Sequence, residues 1–132
     1  MVTQRFNPPD LTDAVENSIG PYNVALVYRN VGSDQGPTVH VFGPVDGADQ
    51  EILRFDCFRK VPHFHLGFSY LSSPVVPIDA ADPLGWVLSQ LCDDFPGYLQ
   101  RSEAAVDLPD NWQSTMTEVS RRFTEEAQGW SE

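Results

Sequence analysis

The chain is almost without lysine. Lys60 is the single one among 132 residues, and with seven arginines it faces nineteen Asp and Glu, for a formal net charge of −11. Affinity for nucleic acid rests on Lys and Arg neutralising phosphates, and docking on anionic lipid needs the same supply. Neither partner is expected here, and the sharper reading of the charge is a partner with a basic surface. Cysteine is scarce as well. Cys57 and Cys92 form no CxxC pair, which excludes a disulfide scaffold and a cysteine-rich zinc module. No apolar run reaches the ~18–20 residues that a membrane helix needs. The start, MVTQRFNPPD, carries no apolar segment of a secretion signal, so the expected location is the cytoplasm. Glycines form neither a G-x-G-x-x-G nor a P-loop pattern, and no G-x-S-x-G elbow is present.

What the chain does have is apolar mass. Hydrophobic residues make up 41% of it, with eight Phe, four Tyr and three Trp, enough for a packed core rather than a disordered chain. A chain of this length buries roughly two-thirds of its unfolded surface and needs no metal or disulfide simply to fold. One domain over residues 1–132 is expected, with residues 1–21, rich in Pro, Asn and Asp, as an irregular arm carrying one helical turn near Leu11–Asn17.

Beyond that arm the pattern has two halves. Asn23–Val31, Thr38–Phe42, Glu51–Phe58 and His63–Leu71 are apolar, β-branched or alternating runs separated by Gly-, Asp- and Pro-rich turns, the signature of four consecutive strands. Sequence neighbours tend to be sheet neighbours, so an antiparallel meander is predicted. After the loop Ser72–Asp82 the period changes. Asp82-Pro83 reads as an N-cap with Pro at the first helical position. Leu84, Val87, Leu88, Leu91 and Phe95 then form one helical face until Pro96-Gly97 stops or kinks it. Pro109 opens a second helix with the stripe Trp112, Met116, Val119, Phe123, Ala127 and Trp130. Strands followed by helices give the α+β class, here a four-stranded sheet with two C-terminal helices, near 83–95 and 109–128, packed on one face.

Alternation assigns faces. Leu53, Phe55 and Cys57 share one face of the third strand, and Phe64, Leu66 and Phe68 one face of the fourth. Arg54, Asp56, His63 and His65 share the other. If Arg59-Lys60 is a two-residue turn, Phe58 pairs with Val61, which sets Asp56 opposite His63 and Arg54 opposite His65. His40 joins this face only if a bulge follows the Asp46-Gly47 turn. Three chemistries fit. Two or three imidazoles plus a carboxylate, His63, His65, Asp56 and His40, could hold a metal such as zinc. Asp56, His63 and His65 could do acid–base catalysis. Or these side chains simply hydrogen-bond one another on a solvated face. Cys57 is a poor ligand candidate because alternation sends it to the core side.

Arg54-Phe55-Asp56-Cys57-Phe58, followed by Pro62-His63-Phe64-His65 and by Asp82-Pro83-Leu84-Gly85-Trp86, resembles the core of a family of uncharacterised small proteins of bacteria and archaea with an RFDCF…PHxH motif and a helix opening D-P-x-x-W. The first two segments are similar in form to TumE-type toxins, where an aromatic-Asp segment precedes a Pro-His-rich strand. In size alone the chain matches the small companion subunits of hydantoinase-like ATP-dependent ketone carboxylases. The functional expectation is therefore a small accessory subunit or interaction module of a larger enzyme complex, with a protein partner at the Tyr70–Ile78 loop or beside Trp86 and Trp130, and with zinc as the candidate cofactor of the histidine face. The alternative is a small enzyme or toxin that uses Asp56, His63 and His65.

Overall fold

The computed structural model describes residues 11–45, 48–66 and 75–130. The α+β class, the antiparallel meander and the two following helices are as expected, but the sheet has six strands rather than four. They are β1 (Val15–Ile19), β2 (Tyr22–Asn30), β3 (Gln35–Val45), β4 (Ala48–Asp56), β5 (His63–Leu66) and β6 (Val76–Pro77), hydrogen-bonded in chain order and each antiparallel to the next. Helices α1 (Pro83–Arg101) and α2 (Trp112–Gln128) follow.

Both extra strands lie where a loop was expected. Val15–Ile19 is neither irregular nor helical. Its burial alternates, with Val15, Asn17 and Ile19 inward and Glu16 and Ser18 outward, and Gly20-Pro21 turns it directly into β2, with Ile19 opposite Tyr22. Gly20 has φ +58°, and a glycine at the first central position is what a type II′ hairpin turn requires. Proline content masked that turn. At the far edge, Phe64 pairs with Val76 and His63 with Pro77. Proline is tolerated there because an edge strand has no outer neighbour to receive its missing N–H. The remainder of the strand expected to run to Leu71 lies outside the described residues.

The helices cover one face of the sheet. Val24, Leu26, Val39, Val41, Leu53, Phe55 and Phe64 meet Leu88, Leu91, Phe95, Leu99, Met116, Val119 and Phe123 in one buried cluster. Cys57 belongs to the same core at 5% exposure, on the side that alternation gave it. Asp82 caps α1 by accepting from the Gly85 amide at 3.1 Å, with Pro83 at the first helical position. The chain leaves helical geometry at Asp94 (φ −146°, ψ 37°), two residues before Pro96, then resumes and buries Tyr98 and Leu99. Pro96 therefore kinks α1 rather than ending it. The second helix opens at Trp112, three residues after Pro109.

Candidate metal centre

β4 and β5 carry the site. Phe55 is drawn to the helices, where its ring lies 5.3 Å from that of Phe64. Alternation then turns Arg54, Asp56, His63 and His65 to the far face. The register is the predicted one, with Asp56 opposite His63 and Arg54 opposite His65. The connection that sets it is different. Residues 57–62 do not close as a two-residue hairpin. Cys57 N donates to Pro37 O (2.8 Å) and Arg59 N to Gln35 O (2.9 Å), so the chain keeps following β3. The Asp34 carboxylate then gathers three amides: Gln35 (2.9 Å) and Lys60 (3.0 Å) on Oδ1, Val61 (2.9 Å) on Oδ2. The longer loop takes an equal number of residues from each strand, which is why the pairing is unchanged.

The polar face is not the solvated surface envisaged above. Thr38 and His40 are completely buried and Asp56 is 2% exposed. Buried carboxylates persist when both oxygens are satisfied, and those of Asp56 have separate partners. Oδ1 accepts from Arg29 Nη1 (2.8 Å) and Thr38 Oγ1 (3.0 Å). Oδ2 faces His63 Nε2 at 3.2 Å and His65 Nε2 at 3.6 Å. Burial alone would raise the Asp56 pKa. Hydrogen bonds from His63 and His65, the Arg29 charge and the Thr38 hydroxyl outweigh it and hold the carboxyl well below the usual range.

His63 is gripped from both sides. Its Nδ1 lies 2.8 Å from the Val61 carbonyl, which can only accept, so the proton sits on Nδ1. In the neutral ring Nε2 is then a bare lone pair aimed at an ionised oxygen 3.2 Å away. A proton or a metal cation turns that repulsion into attraction. The Asp56 hydrogen bond, opposed by burial and reinforced by Val61 O, accordingly raises the His63 pKa. One ligand atom each from Asp56, His63 and His65 lie within 4.8 Å of one another. The rings of His63 and His65 stand nearly perpendicular, centroids 5.0 Å apart.

His40 reaches the same face but a different partner. A bulge does bring it there, though inside the ladder rather than in the 43–50 connection. Val45 pairs with Ala48 and Phe42 with Glu51, then Val41 with Leu53, so Ile52 is the extra residue. His40 sits opposite Arg54. Its Nδ1 lies 2.5 Å from Glu51 Oε2, and Arg54 holds the same carboxylate through Nε–Oε2 (3.0 Å) and Nη2–Oε1 (2.7 Å). His40 is thus outside the Asp56–His63–His65 group. Glu51 would be raised by burial, but bonds from His40 and Arg54 and the Arg54 charge bring it below its ordinary value.

Arg29, Thr38, Glu51 and Asp34 escaped sequence reasoning. Thr38 lies opposite Asp56 only because of the bulge, since the register that pairs Val45 with Ala48 would otherwise set Thr38 opposite Phe55. Glu51 was hidden for the same reason, because the bulge reverses its parity relative to Arg54. Burial pushes the Cys57 thiol pKa up, so it is a poor thiolate donor as well as wrongly placed. Trp86 and Trp130, expected as partner contacts, pack partly buried against the core, Trp130 edge-on to Tyr28 at 5.5 Å. Most of the Tyr70–Ile78 loop lies outside the described residues. Among the described residues no helix is long and apolar enough to cross a membrane.

A family model described as a domain of unknown function, DUF7700, matches residues 17–123. The chain belongs to that family. The matched span takes in five of the six strands in full, most of β1, the whole of α1 and most of α2, together with the RFDCF, PHFH and DPLGW segments. No curated protein and no solved structure matches the chain.

Proposed function

We propose that this DUF7700 protein is a metal-binding protein whose Asp56, His63 and His65 hold a divalent first-row transition ion, with zinc as the reference ion. The observation that carries the reading is the orientation of His63: Val61 O fixes the proton on Nδ1 and presents Nε2 to the carboxylate. A backbone carbonyl on the far nitrogen is the usual support for a metal-bound imidazole. Two nitrogens and one oxygen suit zinc or iron, whereas calcium and magnesium prefer all-oxygen shells. Three protein ligands leave coordination positions for water or a ligand, and the partial exposure of His63 and His65, 18% and 14%, gives access. Arg29 on Oδ1 offsets the Asp56 charge, so affinity should fall short of that of an all-thiolate structural zinc site.

A second reading has one observation in its favour. Without metal, the same grip holds an imidazolium between Val61 O and Asp56 Oδ2, the arrangement of an acid–base histidine. Calorimetric titration of metal-free protein with zinc separates the two. The metal reading predicts one zinc per chain, lost in His63→Ala and in His65→Ala with the fold retained. Absence of saturable binding by the wild-type protein leaves the acid–base reading alone.

A further inference from the structure

Arg29 gives one donor to the histidine site and keeps the rest. Its Nη1 binds Asp56 Oδ1 at 2.8 Å. A guanidinium carries five N–H groups, and among the described residues no second acceptor engages those of Arg29. Its side chain is 31% exposed, beside the partly exposed His63 and His65, so all three reach solvent. Arg29 Cζ lies 5.9 Å from the centroid of the Phe58 ring, and the same ring stands edge-on to His63 at 5.8 Å. Guanidinium and imidazole therefore flank one phenyl ring as well as one carboxylate. Gly36, the partner of Arg29 in the ladder, offers no side chain to block that reach.

The charges around this pair cancel until an ion is bound. Asp56 is offset by Arg29. Asp34, whose charge acts on His63, interacts with Lys60. Glu51 is paired with Arg54. The two positive charges of a divalent ion on Asp56, His63 and His65 would stand uncompensated, at a centre with coordination positions to fill. The net charge of −11 belongs to the chain as a whole, and exposed charges farther off than about 8 Å are largely screened at physiological ionic strength.

Asp56 itself shows what fits. Its two oxygens are divided between Arg29 on one side and the imidazoles on the other, so with an ion on Oδ2 one carboxylate spans ion and guanidinium. A free carboxylate or phosphate has nearly the same span between its oxygens. We infer that the site binds a small oxyanion that repeats this bridge, one oxygen on the ion and another on the remaining N–H groups of Arg29. The inference rests on the metal-site reading and names the ligand class of that site. Arginine suits the role where lysine would not, because its planar fork can hold Asp56 with one nitrogen and a second oxyanion with another. Carboxylates and phosphates share this chemistry.

The test uses cobalt(II) in place of zinc, because its visible absorption reports a change of ligand. Cobalt-loaded protein is titrated with acetate, inorganic phosphate and chloride at equal ionic strength. Chloride can occupy the ion but cannot bridge to Arg29, so it controls for charge alone. Acetate or phosphate should change the spectrum saturably, and the tighter of the two names the source, carboxylate or phosphate. The preference for that oxyanion over chloride should fall about tenfold in Arg29→Lys, which keeps the charge and loses the fork, in line with the loss of one charge-assisted hydrogen bond. A second readout needs no variant: in zinc-loaded wild-type protein the side-chain N–H signal of Arg29 should move in NMR spectra with the oxyanion and not with chloride. No saturable oxyanion binding to cobalt-loaded protein, an unchanged preference in cobalt-loaded Arg29→Lys, or an unmoved Arg29 signal overturns the inference and leaves the metal reading standing. Failure of the wild-type protein to take up cobalt, read by elemental analysis before any anion is added, removes the metal reading and this inference with it.

Discussion

Asp56 divides its two oxygens by chemistry: Oδ1 takes the fixed donors Arg29 and Thr38, while Oδ2 is left to His63 and His65. Fixed donors on one oxygen hold the carboxylate in place, and the other is free to share a proton or an ion with two imidazoles. The site is therefore pre-oriented by residues that would touch no metal. Thr38→Val tests this. It removes one donor from a buried carboxylate, and a loss of about 1–3 kcal/mol in stability is expected, measured by urea unfolding, together with weaker zinc binding. Unchanged zinc affinity would mean that Thr38 does not orient Asp56.

The pH dependence has opposite signs for folding and for metal. The raised pKa of His63 means that its protonated form stabilises the metal-free fold fully below the unfolded value of about 6.5. That contribution is lost as pH rises through the folded pKa. Asp56 works the other way: its depressed pKa gives stability present above the unfolded value of about 3.9 and lost as pH falls. Zinc needs neutral His63, so its affinity should rise as pH climbs above the unfolded imidazole value of about 6.5. Thermal unfolding of metal-free protein should show a wild-type advantage over His63→Gln that shrinks over the same rise in pH. An advantage that grows with pH would contradict the assigned tautomer.

Asp34 should act at a distance. It binds no ligand in this account, yet it holds the amide of Val61, whose carbonyl holds His63. Asp34→Ala should weaken zinc binding about tenfold, in line with the loss of an outer partner. A Val119→Ala variant, destabilised in the core instead, should bind zinc like wild type. If both variants lose affinity in proportion to stability, Asp34 has only a structural role.

Glu51 tests the buried network behind the site. His40 and Glu51 are 1% and 3% exposed at their side chains, and Arg54 is 12% exposed. Glu51→Ala strands an arginine and an imidazole without their carboxylate, and about 3–5 kcal/mol of stability should go with it. Chemical denaturation measures this. A loss below about 1 kcal/mol would mean that water replaces Glu51 with ease.

The Asp56–His63 and Arg54–His65 pairs were legible because strand parity is strict and both strands alternate cleanly. Phe55 opposite Phe64 is the apolar half of the same rule. The route between the strands was not legible: Asp34, more than twenty residues upstream, shapes the 57–62 connection, and no local signal records that. The Ile52 bulge was equally hidden: Glu-Ile-Leu-Arg sets two apolar residues side by side, and only the ladder shows that this break in alternation is an extra residue. Burial of the polar face was missed for a related reason. Asp56 is enclosed by the side chains of Arg29, Thr38, His63 and His65, which come from three other strands.

The measurement closest to the central claim is elemental analysis of the untagged protein after exposure to zinc and removal of excess ion, alongside His63→Ala, His65→Ala and His40→Ala. The account predicts one zinc per chain in wild type and none in the first two variants. His40→Ala should retain the metal, because Glu51 and not the ion is its partner. Sub-stoichiometric zinc in wild type, or equal zinc in His63→Ala and His65→Ala, would contradict it.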